Sequence, residues 1–383
     1  MTVESDRSLS IFWRITGTLL MVSVFFVSPP AVSGAGVPET VAQQLERIYD
    51  TRRDLQQAFR PDDWTAIPSA KTSGLADLED WARKYGYKEY PDLLAGYAPA
   101  AVPAAETPTP KPLVVRKTAL APLLKDGAQF DFSKLTADAV FVVDVASREV
   151  LLARNSRTVR TMASITKLMT AAVALDHKIS FARMVTMAKE DDVGGAKLQA
   201  AAGTRLSTAD LFYAMIVGSA NNAANAIARS TGLSTADFVA AMNDEAAAIG
   251  LASTHFVDTS GMDPANVSTA EEIGALALEV FEKYYYIRRS ASTAKYEMIL
   301  AGQKHTIKST NELLTDDTNG LIVTGGKTGY LEESQWNLAV KMMDYRGKTL
   351  VVVVLGSDSK KDVFRDAATA ARWVWNNYRW VRR

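Results

Sequence analysis

No cysteine occurs among the 383 residues, and there are only three histidines, His177, His255 and His305. The first absence removes disulfides and thiolate chemistry. It also leaves any zinc site dependent on scattered histidines and carboxylates. There is no H-E-x-x-H, no G-x-S-x-G elbow, no P-loop and no dinucleotide fingerprint. A Ser-His-Asp esterase, a zinc peptidase and a nucleotide-dependent enzyme therefore lack sequence support, and no metal or cofactor is expected. Each histidine reads as structural, with His305 the nearest to the third motif below. Excess charge is missing too: 43 Lys and Arg balance 43 Asp and Glu, so no electrostatic case exists for a nucleic-acid partner.

What is present is three short motifs in a fixed order: Ser164-Ile165-Thr166-Lys167, Ser219-Ala220-Asn221 and Lys327-Thr328-Gly329. The pattern S-x-x-K also occurs at Ser292/Lys295 and Ser357/Lys360, and S-x-N at Ser309/Asn311, whereas Lys-Thr-Gly occurs once. The run Leu168–Leu175 is mostly strong helix former, so Ser164 falls at a helix start with Lys167 three residues on and on the same face. A serine hydroxyl needs a base beside it to act as a nucleophile. Lysine can be that base once burial or a second cation lowers its pKa. The apolar surroundings predict a buried Lys167, with Lys327 as the second cation.

The second motif lies between two helical stretches, Leu211–Gly218 and Asn222–Ala228. Ser219 offers a hydroxyl for proton relay and Asn221 an amide to orient a substrate carbonyl; a helix N-cap is the competing use of both. The competing S-x-N, Ser309-Thr310-Asn311, reads as a structural segment. In the third motif, a β-branched run Leu321–Thr324 enters Gly325-Gly326-Lys327-Thr328-Gly329-Tyr330, which predicts a strand that another backbone approaches closely. Peptide recognition by strand addition needs such an edge. Lys327 and Thr328 can hold a carboxylate, Gly329 removes a side chain that would block the substrate, and the N–H groups of Tyr330 and Ser164 can form an oxyanion hole.

These residues resemble the D-alanyl-D-alanine carboxypeptidase family, the low-molecular-mass penicillin-binding serine peptidases, from about Thr118 onward. Met162–Thr170 resembles the family's nucleophile region, Gly261–Ala270 its loop before a helix, and Ser309–Leu314 its segment upstream of the third motif. The resemblance implies Ser164 as acylated nucleophile, Lys167 as base, Ser219 and Asn221 as relay and positioning groups, and Lys327 and Thr328 as carboxylate binders. It implies peptidoglycan stem peptides ending in D-Ala-D-Ala as substrate and β-lactams as covalent inhibitors. The layout is similar to the short D,D-endopeptidase branch, so cleavage of cross-links stands as the alternative to carboxypeptidase action. Class A β-lactamases carry a Glu-x-x-x-Asn loop between the second and third motifs, and no Glu within 222–326 has Asn four residues on. A β-lactamase, or a wall-binding scaffold with a vestigial site, is the more distant alternative.

The fold expected is α/β, of the β-lactamase/D,D-peptidase kind. Strands at Val140–Val145 and Val150–Ala153, and again at Trp336–Met342 and Leu350–Leu355, surround a helical middle. One antiparallel sheet built from both chain ends, with an inserted helical domain, follows from that order. A last helix is expected at Val363–Val381, with its tryptophans packed. Residues 1–35 read as a signal peptide: the apolar run Ile15–Val27 follows Arg14, is too short to span a bilayer, and precedes small residues at Ser33 and Ala35. An uncleaved anchor is the alternative. Either places the enzyme outside the cytoplasmic membrane, in the periplasm or on the outer face. Residues 36–97 form a separate N-terminal helical region, a spacer or a binding module for wall or protein. Residues 98–112 are an Ala/Pro/Thr-rich linker, and 113–383 the catalytic domain.

Overall fold

A computed structural model describes residues 120–315 and 320–380. The expected signal peptide, N-terminal helical region and linker lie outside the described residues. The longer strands are β1 (Ala139–Asp144), β2 (Val150–Arg154), β3 (Lys295–Leu300), β4 (Gln303–Lys308), β5 (Ile322–Leu331), β6 (Gln335–Met343) and β7 (Thr349–Ser357). The helices are α1 (Lys167–Asp176), α2 (Thr208–Val217), α3 (Asn221–Ser230), α4 (Thr235–Ala248), α5 (Ala270–Lys283), α6 (Tyr285–Ala291) and α7 (Lys360–Asn377).

Five strands form one antiparallel sheet in the order β5-β6-β7-β1-β2. Its centre joins the two ends of the catalytic region, with Val142 opposite Val352. Both central strands are unbroken apolar runs because helices cover both sheet faces. The period of two divides each strand between two cores. Val140, Val142, Leu350, Val352 and Val354 pack with Val363, Phe364, Ala367 and Val374 of α7. Phe141, Val143, Val351 and Val353 face the other way, onto Ile273, Leu276 and Ala277 of α5. That second helix approaches closely enough that a Cβ on Gly274 would lie 2.6 Å from the Phe141 ring. A glycine in a helix interior costs about 1 kcal/mol relative to alanine, and here it lets α5 lie flat on β1.

Between β2 and β5 the chain forms the helical insertion. α1 runs through its middle, with every residue from Lys167 to Ala174 buried. A helix apolar all round belongs inside a core, and α1 packs against α3, α4 and α5. Four helices start on the same chemistry, a Ser or Thr side chain accepting from the N–H three residues on: Ser207 to α2, Ser234 to α4, Thr269 to α5 and Ser359 to α7. An acidic residue occupies each of those third positions, which adds a favourable charge at the helix N-terminus.

The α/β class, the sheet from both chain ends and the inserted helices are as expected. The last helix differs from the expected Val363–Val381. It starts at Lys360 because Ser359 caps it, and it stops at Asn377 because Tyr378–Arg379 pairs antiparallel with Leu123–Leu124. Trp375 of this helix donates to the Lys348 carbonyl at 3.0 Å, and Trp380, beyond its end, donates to Asp144 at 2.8 Å. The β3–β4 hairpin is not among the expected strands; polar residues such as Lys295, Glu297, Gln303 and Lys304 interrupt any apolar run in it.

Candidate active site

All three motifs meet where the helical insertion abuts β5. Ser164 lies in a 3₁₀ turn, Ala163–Thr166, that leads directly into α1. Lys167 opens that helix, fully buried, with its Nζ 2.9 Å from Ser164 Oγ. The same nitrogen donates to Asn221 Oδ1 at 2.7 Å and to the Ser260 carbonyl. Asn221 opens α3, and its Nδ2 donates to the Gly194 carbonyl at 2.9 Å. Lys327, on β5, is also buried; its Nζ donates to Ser219 Oγ at 2.8 Å and to the Thr328 carbonyl at 2.9 Å. Two hydrogen-bonded pairs thus stand in the site, Lys167 with Ser164 and Lys327 with Ser219, and the short link from Ser219 to Asn221 joins them.

Electrostatics separates the two lysines. Burial pushes Lys167 well below the ordinary lysine range, the neighbouring Lys327 cation pushes the same way, and Asp258 pulls partly back. Lys327 is lowered by burial to about 7. Two buried cations this close cannot both stay charged cheaply, and the Lys327 charge adds to the burial that disfavours the proton on Lys167. A neutral amine has two N–H groups and one lone pair. The Asn221 and Ser260 oxygens can only accept, so they take both N–H groups, and the lone pair is left facing the Ser164 hydroxyl.

Backbone geometry brings the elements this near. Ala163 and Ser219 both have positive φ, 49° and 58°, a strained region for residues other than glycine. Gly329 meets the nucleophile turn: a Cβ there would lie 2.7 Å from the Met162 carbonyl and 3.3 Å from the Ser164 nitrogen. This close approach is a reason for glycine at 329 beyond the expected clearing of a side chain from the substrate. Its bare α-carbon lets β5 press against the nucleophile turn, next to Tyr330, whose N–H is the second expected oxyanion donor. The Tyr330 ring itself is half exposed and leans on Trp336, centroids 4.4 Å apart. β5 is an edge strand, paired only with β6 in the sheet order.

Two contributors escaped the motif reading. Asp258 accepts from the N–H groups of Ser260, Gly261 and Asp263, which shapes the loop that aims the Ser260 carbonyl at Lys167. That loop begins just before the Gly261–Ala270 segment quoted for the resemblance, which was the available signal. Thr310 lies 2.6 Å from Thr328, hydroxyl to hydroxyl. The remaining motif copies lie elsewhere. Ser292 donates to the Arg289 carbonyl at the exposed end of α6, and Ser357 is committed to the buried Asp366. Asn311 caps a 3₁₀ turn. None of the histidines enters the cluster: His177 contacts the Val173 carbonyl, His255 bridges Val267 and His305 faces Met298 in the β3–β4 hairpin.

A family model described as D-alanyl-D-alanine carboxypeptidase matches residues 126–359, well over half of the chain. The chain belongs to that family. This carboxypeptidase-family member is 33% identical over 239 residues to a D-alanyl-D-alanine endopeptidase of Haemophilus influenzae, covering 62% of this chain and 80% of that protein. It is 31% identical over 259 residues to a D-alanyl-D-alanine carboxypeptidase of Escherichia coli, covering 64% of each. Among solved structures, a mutant of the Streptomyces K15 DD-transpeptidase superposes with a TM-score of 0.59 at 25% identity, over 63% of this chain and 98% of that one. Penicillin-binding protein D2 of Listeria monocytogenes, solved in its cefotaxime-bound form, gives 0.57 at 26%, over 65% and 99%. The chain is a serine-type hydrolase with the DD-peptidase fold.

Proposed function

We propose that the enzyme removes the terminal D-alanine from peptidoglycan stem peptides through an acyl-enzyme on Ser164, and that β-lactams acylate the same oxygen. The observation that carries this is the buried Lys167 Nζ, 2.9 Å from Ser164 Oγ and held by two obligate acceptors, so that its neutral form would turn a lone pair toward the serine. Ser164 Oγ attacks the carbonyl of the penultimate D-alanine while its proton passes to Lys167 Nζ. The oxyanion that forms is held by the N–H groups of Ser164 and Tyr330. Collapse breaks the C–N bond, and the departing D-alanine amine takes, by way of Ser219, the proton that Lys167 gained, which leaves Lys167 neutral again. Water then attacks the ester with Lys167 again as base, releasing the shortened peptide and restoring the Ser164 hydroxyl. Lys327 and Thr328 hold the terminal carboxylate until the D-alanine leaves.

Cleavage of cross-links is the second reading, favoured by the endopeptidase relative matched over 80% of its length. Export is proposed from the Ile15–Val27 segment, and residues 36–97 are proposed to act as a spacer or to bind wall or protein. Intact-mass analysis after excess penicillin tests the central reading. A single adduct on the wild type that lasts minutes or longer, absent from Ser164→Ala, is expected, because no Glu-x-x-x-Asn loop activates a deacylating water. Rapid hydrolysis with no lasting adduct would identify a β-lactamase instead. Free D-alanine from a pentapeptide, against monomer from a cross-linked dimer, separates the two peptidase readings.

A further inference from the structure

Thr310 belongs to neither catalytic helix nor β5, yet it touches both sides of the site. Its N–H donates to the carbonyl of Val217, the last residue of α2 before the Gly218-Ser219 turn, at 3.0 Å. Its hydroxyl lies 2.6 Å from that of Thr328. The segment is held firmly around it. The Ser309 N–H donates to the Ala294 carbonyl at 2.8 Å, and Asn311 accepts from the Leu313 N–H. Asn311 also lies against Gly326, where a Cβ would come within 2.7 Å of its Nδ2. Thr310 is therefore fixed in place relative to β5 by its neighbours on either side.

Two hydroxyls at hydrogen-bond distance have two protons between them, and one proton is used in the contact. The other must point elsewhere. If Thr310 donates, the Thr328 proton is left to the substrate side; if Thr328 donates, the free proton belongs to Thr310. With Thr310 as the donor, the pair offers one directed O–H on Thr328, where a lone Thr328 would rotate among several orientations. An ionised acceptor rewards such a fixed donor more than a neutral one does.

We propose that Thr310 is a positioning residue for substrate-carboxylate recognition, acting with Thr328 as one hydroxyl pair. The inference rests on the reading of Thr328 as a carboxylate binder and adds a specificity determinant to it. It predicts a loss in substrate binding that depends on the carboxylate, with the acylation chemistry at Ser164 and Lys167 intact.

The test compares a stem pentapeptide with its C-terminal amide on the full-length enzyme, for wild type, Thr310→Val, Thr310→Ser and Thr328→Val. Valine keeps the shape of threonine and removes only the hydroxyl. For the free acid, Thr310→Val should raise KM up to about tenfold with kcat nearly unchanged, because the Thr328 hydroxyl loses the orientation of its charge-assisted hydrogen bond. For the amide the same variant should change little, and Thr310→Ser should restore the wild-type preference. Thr328→Val should lose the acid-over-amide preference as well, and the double variant should be no worse than the more damaged single one. If Thr328→Val loses the preference while Thr310→Val keeps it, the Thr310 inference is wrong and the carboxylate reading stands. If neither variant alters it, the carboxylate reading itself falls. A kcat loss in Thr310→Val that is equal for acid and amide would mean a merely structural role.

Discussion

Replacing Lys327 with methionine should make the protein more stable while removing its activity. Lys327 is lowered from the ordinary 10.5 to about 7 by burial alone. Between those two pH values the unfolded chain binds a proton that the folded chain does not, so folded stability rises with pH across the window. At pH 7 the buried cation costs about 4 kcal/mol relative to an unperturbed lysine. Methionine removes that cost and has similar length, but it abandons the hydrogen bonds to Ser219 Oγ and the Thr328 carbonyl, worth about 1 kcal/mol each. A net gain of about 2 kcal/mol remains, or roughly 5 °C in Tm for a domain of this size. Removing the charge also relieves Lys167, which acts in the same direction. As pH rises the advantage shrinks by about 1.4 kcal/mol per unit and reverses at about pH 9, where the remaining burial cost equals the lost hydrogen bonds; above about pH 10.5 only those bonds count. Thermal melts of both proteins from pH 6 to 10 read this out directly. A variant less stable than wild type at pH 6, or a difference that does not change with pH, would refute the reasoning.

Two further substitutions probe the chemistry. Lys167→Arg should slow acylation by fluorescent penicillin about 10²- to 10⁴-fold in stopped flow, because a guanidinium cannot accept the Ser164 proton; near-normal acylation would remove Lys167 from the role of base. Gly329→Ala should fold normally yet acylate at least about tenfold more slowly, since its methyl group would meet the Met162 carbonyl at 2.7 Å and push β5 off the nucleophile turn by a fraction of an ångström. Wild-type acylation by Gly329→Ala would show that the close approach has no catalytic consequence.

The parts of the molecule legible in the sequence are those fixed by local pattern. The runs at Val140–Val145 and Leu350–Leu355 announced central strands because burial on two faces demands unbroken apolar residues. The serine–lysine pair was legible because three residues make one helical turn. Burial of Lys167 followed from the residues around it. The close approach of Gly329 to Met162 is not legible, since it depends on which backbone lies opposite, and that one is far away in the chain. The Ser260 carbonyl is a backbone atom with no residue-type signal. Thr310 was passed over for a related reason: a threonine in a capping segment has an ordinary local use, and only the docking of that segment on Val217 and Thr328 gives it another. The end of the last helix was misplaced because a two-residue ladder with Leu123–Leu124, not a local breaker, stops it.

The pairing of Val142 with Val352 has a consequence in time. The partners are roughly 200 residues apart, and such long loops must close before non-local contacts reward them, which slows folding. Strands β1 and β2 leave a ribosome early, yet alone they are a two-stranded hairpin of marginal stability. The β5–β6 hairpin that carries Lys327 cannot reach them, because β7 stands between the two pairs. The sheet therefore closes only when the segment through Ser357 is available, and the serine and both lysines come together at the end of synthesis rather than along the way. A chain interrupted between Gly329 and β7 would carry all three motifs in its sequence and have no assembled site.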